Sequence, residues 1–196
     1  MKNTNIIKRS VAGVLITAVA VCAFGCSKTS ISRKDVNRAF REASKEYGLE
    51  DLDWESIYDS DTRKLGYSSK TAQGDDAVAL FYSKVGLVFD IPKSDMPEIK
   101  EMESFYLSGD EIVYGHYIIF KNEEDCEEYC DMFCDFWGAE TGEEKGFNCF
   151  TYVSDNRIEA VYQDGTTLIW FTEIIRETPE MLPYIYKKLG LSFPEN

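Results

Sequence analysis

The sequence predicts an α+β domain: a single antiparallel sheet with helices packed mainly on one of its faces. Three observations carry this expectation. A β-rich run at residues 112–120, "IVYGHYIIF", leads directly into an amphipathic stretch at residues 123–137, "EEDCEEYCDMFCDFW". Three further runs follow, "FNCFTYV", "RIEAVYQ" and "TLIWFTEII", separated by Ser154-Asp155-Asn156 and by Asp164-Gly165. Asp-Gly between such runs is a strong hairpin signal. Helical patterns stand at both ends of the domain, so a strand, a helix and a three-strand meander are expected to form one sheet with helices laid against it.

Taken in order, Ser32 and Asp35 open the first helix with capping-box spacing. Val36, Phe40, Ala43 and Tyr47 repeat at the helical period, and Gly48 supplies the stop. The polar stretch that follows is expected to be irregular, anchored by Leu52, Trp54 and Ile57. "AVALFYSKVGLVFDI" has no clear period, and two strands are expected there, over residues 77–83 and 87–91. Pro92 and Pro97 bracket a connection, with a short helix expected over residues 98–107. Asn122 caps the cysteine-bearing helix, Glu123 to Asp125 favour its positive end, and Gly138 ends it. "GAETGEEKG" reads as a glycine-rich turn. The tail, "TPEMLPYIYKKLG", predicts a closing helix capped by Thr178, with Pro179 first and an apolar stripe of Leu182, Ile185, Tyr186 and Leu189.

The chain has 196 residues, 44% apolar and 14% aromatic, too rich in core-formers to be disordered. A domain of this size buries about 70% of the surface its unfolded chain exposes, so it needs no covalent staples. The N-terminus has a different character. Lys2, Lys8 and Arg9 precede an uncharged apolar run at residues 11–24, too short to span a bilayer, which ends in Ala23-Phe24-Gly25-Cys26. This arrangement resembles the lipobox of bacterial lipoprotein precursors, with Ala23 where Leu is usual. The resemblance covers the first 30 residues. It implies a signal peptide over residues 1–25 that is removed, lipidation of Cys26, and a location on the outer face of the cell membrane. Residues 26–31 would then be a short tether and residues 32–196 one globular domain.

Without Lys2, Lys8 and Arg9 the chain keeps 18 basic and 35 acidic residues, a net charge of −17. Such a surface excludes nucleic acid as a partner, because phosphate binding rests on Lys and Arg. An anionic membrane repels it overall, so a covalent lipid is the physical means of holding it there.

Cys126, Cys130 and Cys134 recur every four residues, on the same helical arc as Tyr129, Phe133 and Trp137. Helix periodicity accounts for that interval, and free cysteine packs as a small hydrophobe. A metal or redox role for these three with Cys149 is a rival reading. Mid-helix spacing among large aromatics argues against zinc, and the surrounding carboxylates argue against a reactive thiolate. No metal and no cofactor is expected. Export makes disulfides chemically possible, and Cys149 is a candidate partner for one of Cys126, Cys130 or Cys134. The single histidine, His116, shares a strand face with Ile112, Tyr114, Ile118 and Phe120, and is expected to be a neutral, hydrogen-bonded core or rim residue. The run Asp51, Asp53, Glu55 and Asp59 suggests a calcium loop, but Ser56 replaces the required glycine and Thr62 the final glutamate. No nucleophile elbow, P-loop or dinucleotide fingerprint is present. The expectation is a lipid-anchored, non-catalytic binding domain for an unknown protein, glycan or small molecule. The alternative is a surface enzyme using carboxylates or His116.

Overall fold

A computed structural model describes residues 30–57, 64–86, 88–175 and 180–194. Helix α1 is Arg33–Glu46, followed by strand β1 (Gly66–Gln73) and helix α2 (Asp75–Phe81), which widens into a π-helical turn over Tyr82–Gly86. Strands β2 (Ile99–Ser108) and β3 (Ile112–Phe120) form a hairpin, and α3 (Glu123–Trp137) follows. Strands β4 (Glu140–Glu144), β5 (Phe147–Ser154), β6 (Arg157–Asp164) and β7 (Thr167–Ile174) make a meander, and α4 (Met181–Leu189) closes the domain. All seven strands join one antiparallel sheet in the order β1-β2-β3-β7-β6-β5-β4. After β3 the chain leaves through α3 to the far edge of the sheet, and the meander works back until β7 pairs with β3.

The helix ends follow the predicted chemistry. Ser32 Oγ accepts from the Asp35 N–H at 3.3 Å while the Asp35 carboxylate accepts from the Ser32 N–H at 3.0 Å, completing the capping box. In α3, Asn122 Oδ1 accepts from the Asp125 N–H at 2.8 Å, and Gly138 closes the helix in the left-handed conformation.

The α+β class and the antiparallel sheet hold, but the helices divide equally between the two faces. On one face α1 and α4 cover Phe105, Val113, Tyr162, Ile169 and Phe171. On the other, α2 and α3 cover Met102, Tyr106, Ile118, Val161 and Trp170. The reason lies in the central strands, whose alternate residues are buried on both sides, so each face needs its own cover. Gly115 marks the closest approach. A side chain there would strike the Phe40 ring, which instead drops from α1 onto the sheet and stacks on Phe105 with ring centroids 4.9 Å apart.

Five local expectations are corrected. Residues 77–81 belong to α2 rather than to a strand, because Ala77, Leu80, Phe81 and Val85 recur at helical spacing and are buried together. The expected second strand at residues 87–91 does not form: residues 88–90 are a turn, and Leu87 lies outside the described residues. The expected helix over residues 98–107 is strand β2, whose two-sided burial hides the alternation that would have revealed it. The glycine-rich turn contains edge strand β4, and residues 66–73 in the polar stretch form β1. The start of the closing helix at Thr178 and Pro179 lies outside the described residues. Within them, α4 begins at Met181.

Candidate functional site

The cysteines sit on two sides of the sheet. Cys126 and Cys130 are fully buried under α3, whereas Cys149 packs into the α1/α4 face beside Tyr162. All four are free thiols. This corrects both the expected bridge from Cys149 to α3 and the rival four-cysteine centre. Cys149 shares its strand parity with Phe147, so it points away from Cys126, Cys130 and Cys134. The Cys126 thiol beside it and burial both push the Cys130 thiol far above its ordinary value, and Cys134 donates to the Ala139 carbonyl at 3.5 Å. Cys126 and Cys130 pack as small hydrophobes, and the Cys130 thiol keeps its proton. Among the described residues, no group of three His, Cys, Asp or Glu side chains could hold a metal ion.

His116 is buried at 2% exposure, with Nδ1 2.9 Å from the Ser104 hydroxyl and its ring tilted against Trp170. Burial, with the charge of Lys84 adding to it, holds its pKa down to about 3, so the ring is neutral. It lines none of the cavities described below, and its burial argues against the histidine version of the enzyme alternative. Trp170 is buried too, its Nε1–H donating to Glu159 at 2.6 Å. Glu159 also accepts from the Thr172 hydroxyl and from Arg157. Of the proposed calcium ligands, Glu55 accepts from Lys70 at 2.6 Å, and Asp59 lies outside the described residues, as does Cys26.

A cleft of about 580 Å³ opens beside β1, on the α2/α3 face. Trp54, Ala72, Ala79 and Leu80 form its apolar wall, and Lys70, Lys84, Glu55 and Asp76 bring charge to it. Local folding explains each contribution. Gly74, at φ 55°, turns the chain sharply from β1 into α2, placing Asp76, Ala79 and Leu80 along one side. The π-helical turn then carries Ser83 and Lys84 to the cleft, and single π-turns of this kind recur at functional sites. Lys84 is half-buried, with Nζ 5.2 Å from the centre of the Trp54 ring. Burial, helped by the nearby Lys70, lowers its pKa to about 8. Sequence reading passed over this site. Its signal was a lysine inside an otherwise apolar run, "AVALFYSKVG", where a solvated cation is out of place.

A smaller cavity, about 240 Å³, lies where Glu111 meets the start of α4. Glu111 accepts the Glu180 and Met181 N–H groups at 2.7 and 3.0 Å, and Glu173 accepts the Leu182 N–H at 3.2 Å. Both carboxyls thereby serve the unsatisfied amides of a helix start. Glu173 is fully buried, and burial together with the Glu111 carboxyl pushes its pKa up to about 9.

No protein-family model matches the chain, and no curated protein matches it. Among solved structures, it is similar to the extracellular domain of PknH from Mycobacterium tuberculosis, with a TM-score of 0.35 and 9% identity over 70% of this chain and 89% of that one. A likeness at that level transfers neither fold nor function. Among the described residues, no helix is long and apolar enough to cross a membrane.

Proposed function

We propose that this chain is an extracytoplasmic, lipid-anchored and non-catalytic binding domain, and that the Trp54–Lys84 cleft is its ligand site. One observation carries the assignment of the site: a lysine held half-buried over an indole, with its proton weakened, at the wall of a cleft large enough for a small molecule. An anionic group beside Lys84 would pair with its ammonium charge and hold its proton more firmly, and a planar or apolar body would fit the wall of Trp54, Ala72, Ala79 and Leu80. The ligand is therefore a small organic anion. Anchoring rests on the sequence around Cys26, and it is tested by the intact mass and membrane fractionation of the wild type and of Cys26→Ser.

The test of the cleft is a thermal-shift and calorimetric screen of the full chain with inorganic phosphate, phenyl phosphate, benzoate and indole-3-acetate. At least one aromatic anion is expected to raise the melting temperature at pH 6.5. It should bind more weakly at pH 9.5, where Lys84 has lost its proton. Lys84→Met should remove the response while leaving the unliganded melting curve close to wild type. Equal binding by Lys84→Met, or no response to any of the four anions, would overturn the assignment.

A further inference from the structure

The net charge conceals a polarised molecule. Helix α3 carries seven acidic residues and no basic one, on the outer side of one sheet face. Helix α1, on the opposite face, carries Arg33, Lys34, Arg38, Arg41 and Lys45 against Asp35, Glu42 and Glu46. Position matters more than the count. At 100° per residue, Lys34, Arg38, Arg41 and Lys45 fall within an arc of about 60°, opposite the buried Val36, Phe40 and Ala43. All four are exposed, and no acid lies within that arc. Of the acids beside it, Asp35 caps the helix and pairs with Arg38, Glu42 accepts from Lys188 at 2.8 Å, and Glu46 is exposed at the last turn. Among the described residues, Lys34 and Lys45 have no carboxylate within ion-pair distance. Arg33, Lys34, Asn37 and Arg38 also line an open groove of about 420 Å³ between α1 and the β1–β2 edge.

We infer that the α1 stripe is a docking surface for the headgroups of anionic phospholipids in the bilayer that carries Cys26. The inference rests on the anchoring reading above. Only six residues separate Cys26 from α1, at most about 3.5 Å each, so the tether holds this helix near the headgroups. Charges farther away than about 8 Å are screened at physiological salt. The membrane therefore senses the basic stripe nearest to it, and much less the acids of α3 across the sheet. Docked this way, α1 lies against the bilayer and the Trp54–Lys84 cleft, on the other face, opens away from it.

Amine footprinting of the full chain in vesicles tests the arrangement. The protein is placed in pure phosphatidylcholine vesicles and in vesicles containing phosphatidylglycerol, then labelled with an acylating reagent and read by mass spectrometry. Lys34 and Lys45 should label about threefold or more slowly on phosphatidylglycerol at low salt, with the protection lost at 0.5 M salt. Lys93, in the connection on the α2/α3 side, should label equally on both. Replacing Arg38 and Arg41 by Gln should weaken the protection of Lys34 and Lys45. A chain that carries its lipid and floats with the vesicles, yet labels equally on both compositions, overturns docking alone. A chain without acyl groups on Cys26 that does not float overturns the anchoring reading, and docking with it.

Discussion

The two faces of the sheet are built from the same strands but to different ends. Under α1 and α4, Phe40 stacks on Phe105, Phe171 meets Tyr186 and Tyr162, and Gly115 gives up its side chain so that Phe40 can seat. That face is filled with rings, and the groove of about 420 Å³ along α1 is lined by polar and charged side chains such as Arg33, Lys34, Arg38 and Glu103 rather than by those rings. Under α2 and α3 the sheet also carries His116, Ser104 and Glu159, each satisfied by a neighbour, and the short α2 leaves the cleft open beside β1. A longer, well-capped helix seals its side, whereas a seven-residue helix ending in a π-turn leaves part of its sheet uncovered. Both faces bury a core, but the α2/α3 face also leaves space for a cleft beside β1.

The largest expected effect separates the two directly. Phe40→Ala should cost about 3–5 kcal/mol, because a fully buried ring at the centre of an aromatic stack leaves a cavity that its neighbours cannot fill. Leu80→Ala, at the cleft, should cost only about 2 kcal/mol, the low end for its type, since water can enter the space it leaves. Urea unfolding of both variants checks the order. A reversed order would mean that the cleft face is the better packed one.

A smaller term should appear in the pH dependence of stability. With its pKa near 9 in the folded chain, Glu173 keeps a proton that an ordinary glutamate releases near 4.5. Between those values the native state binds more protons than the unfolded state, so this group's stabilising contribution is complete below about 4.5 and is lost as the pH rises through 9. Glu173→Gln should flatten that slope in urea titrations made across this range. An unchanged slope would assign the proton to another group.

The smallest effect belongs to the outer surface. Lys34→Gln and Lys45→Gln should each change stability by less than about 0.5 kcal/mol, because neither side chain is buried or capped against a partner. A larger loss in thermal or urea unfolding would make the stripe part of the fold rather than a surface for a partner.

Legibility varied with how local the deciding physics was. The capping box at Ser32, the Asn122 cap, the Gly138 stop and the Asp164-Gly165 turn were readable because each is fixed by residues within four positions of one another. Strand β2 was not, because burial on both sides removed its alternation. Strand β1 was missed because "GYSSKTAQ" is polar and becomes a strand only by pairing with β2. For the cysteines, helical spacing correctly placed Cys126 and Cys130 in the core. The side of the sheet reached by Cys149 depended on register, which no local pattern states.

By itself, then, the sequence determined the class, the ends of α1 and α3, the hairpins of the meander and the neutral burial of His116. These follow from caps, periods and turn residues acting over short distances. Tertiary structure alone decided that the helices divide between two faces, that Cys149 and the α3 cysteines are kept apart, and that Trp54, Lys70 and Lys84 meet around one cleft. Each of these depends on strand register and on which helix covers which side, contacts between residues far apart in the chain.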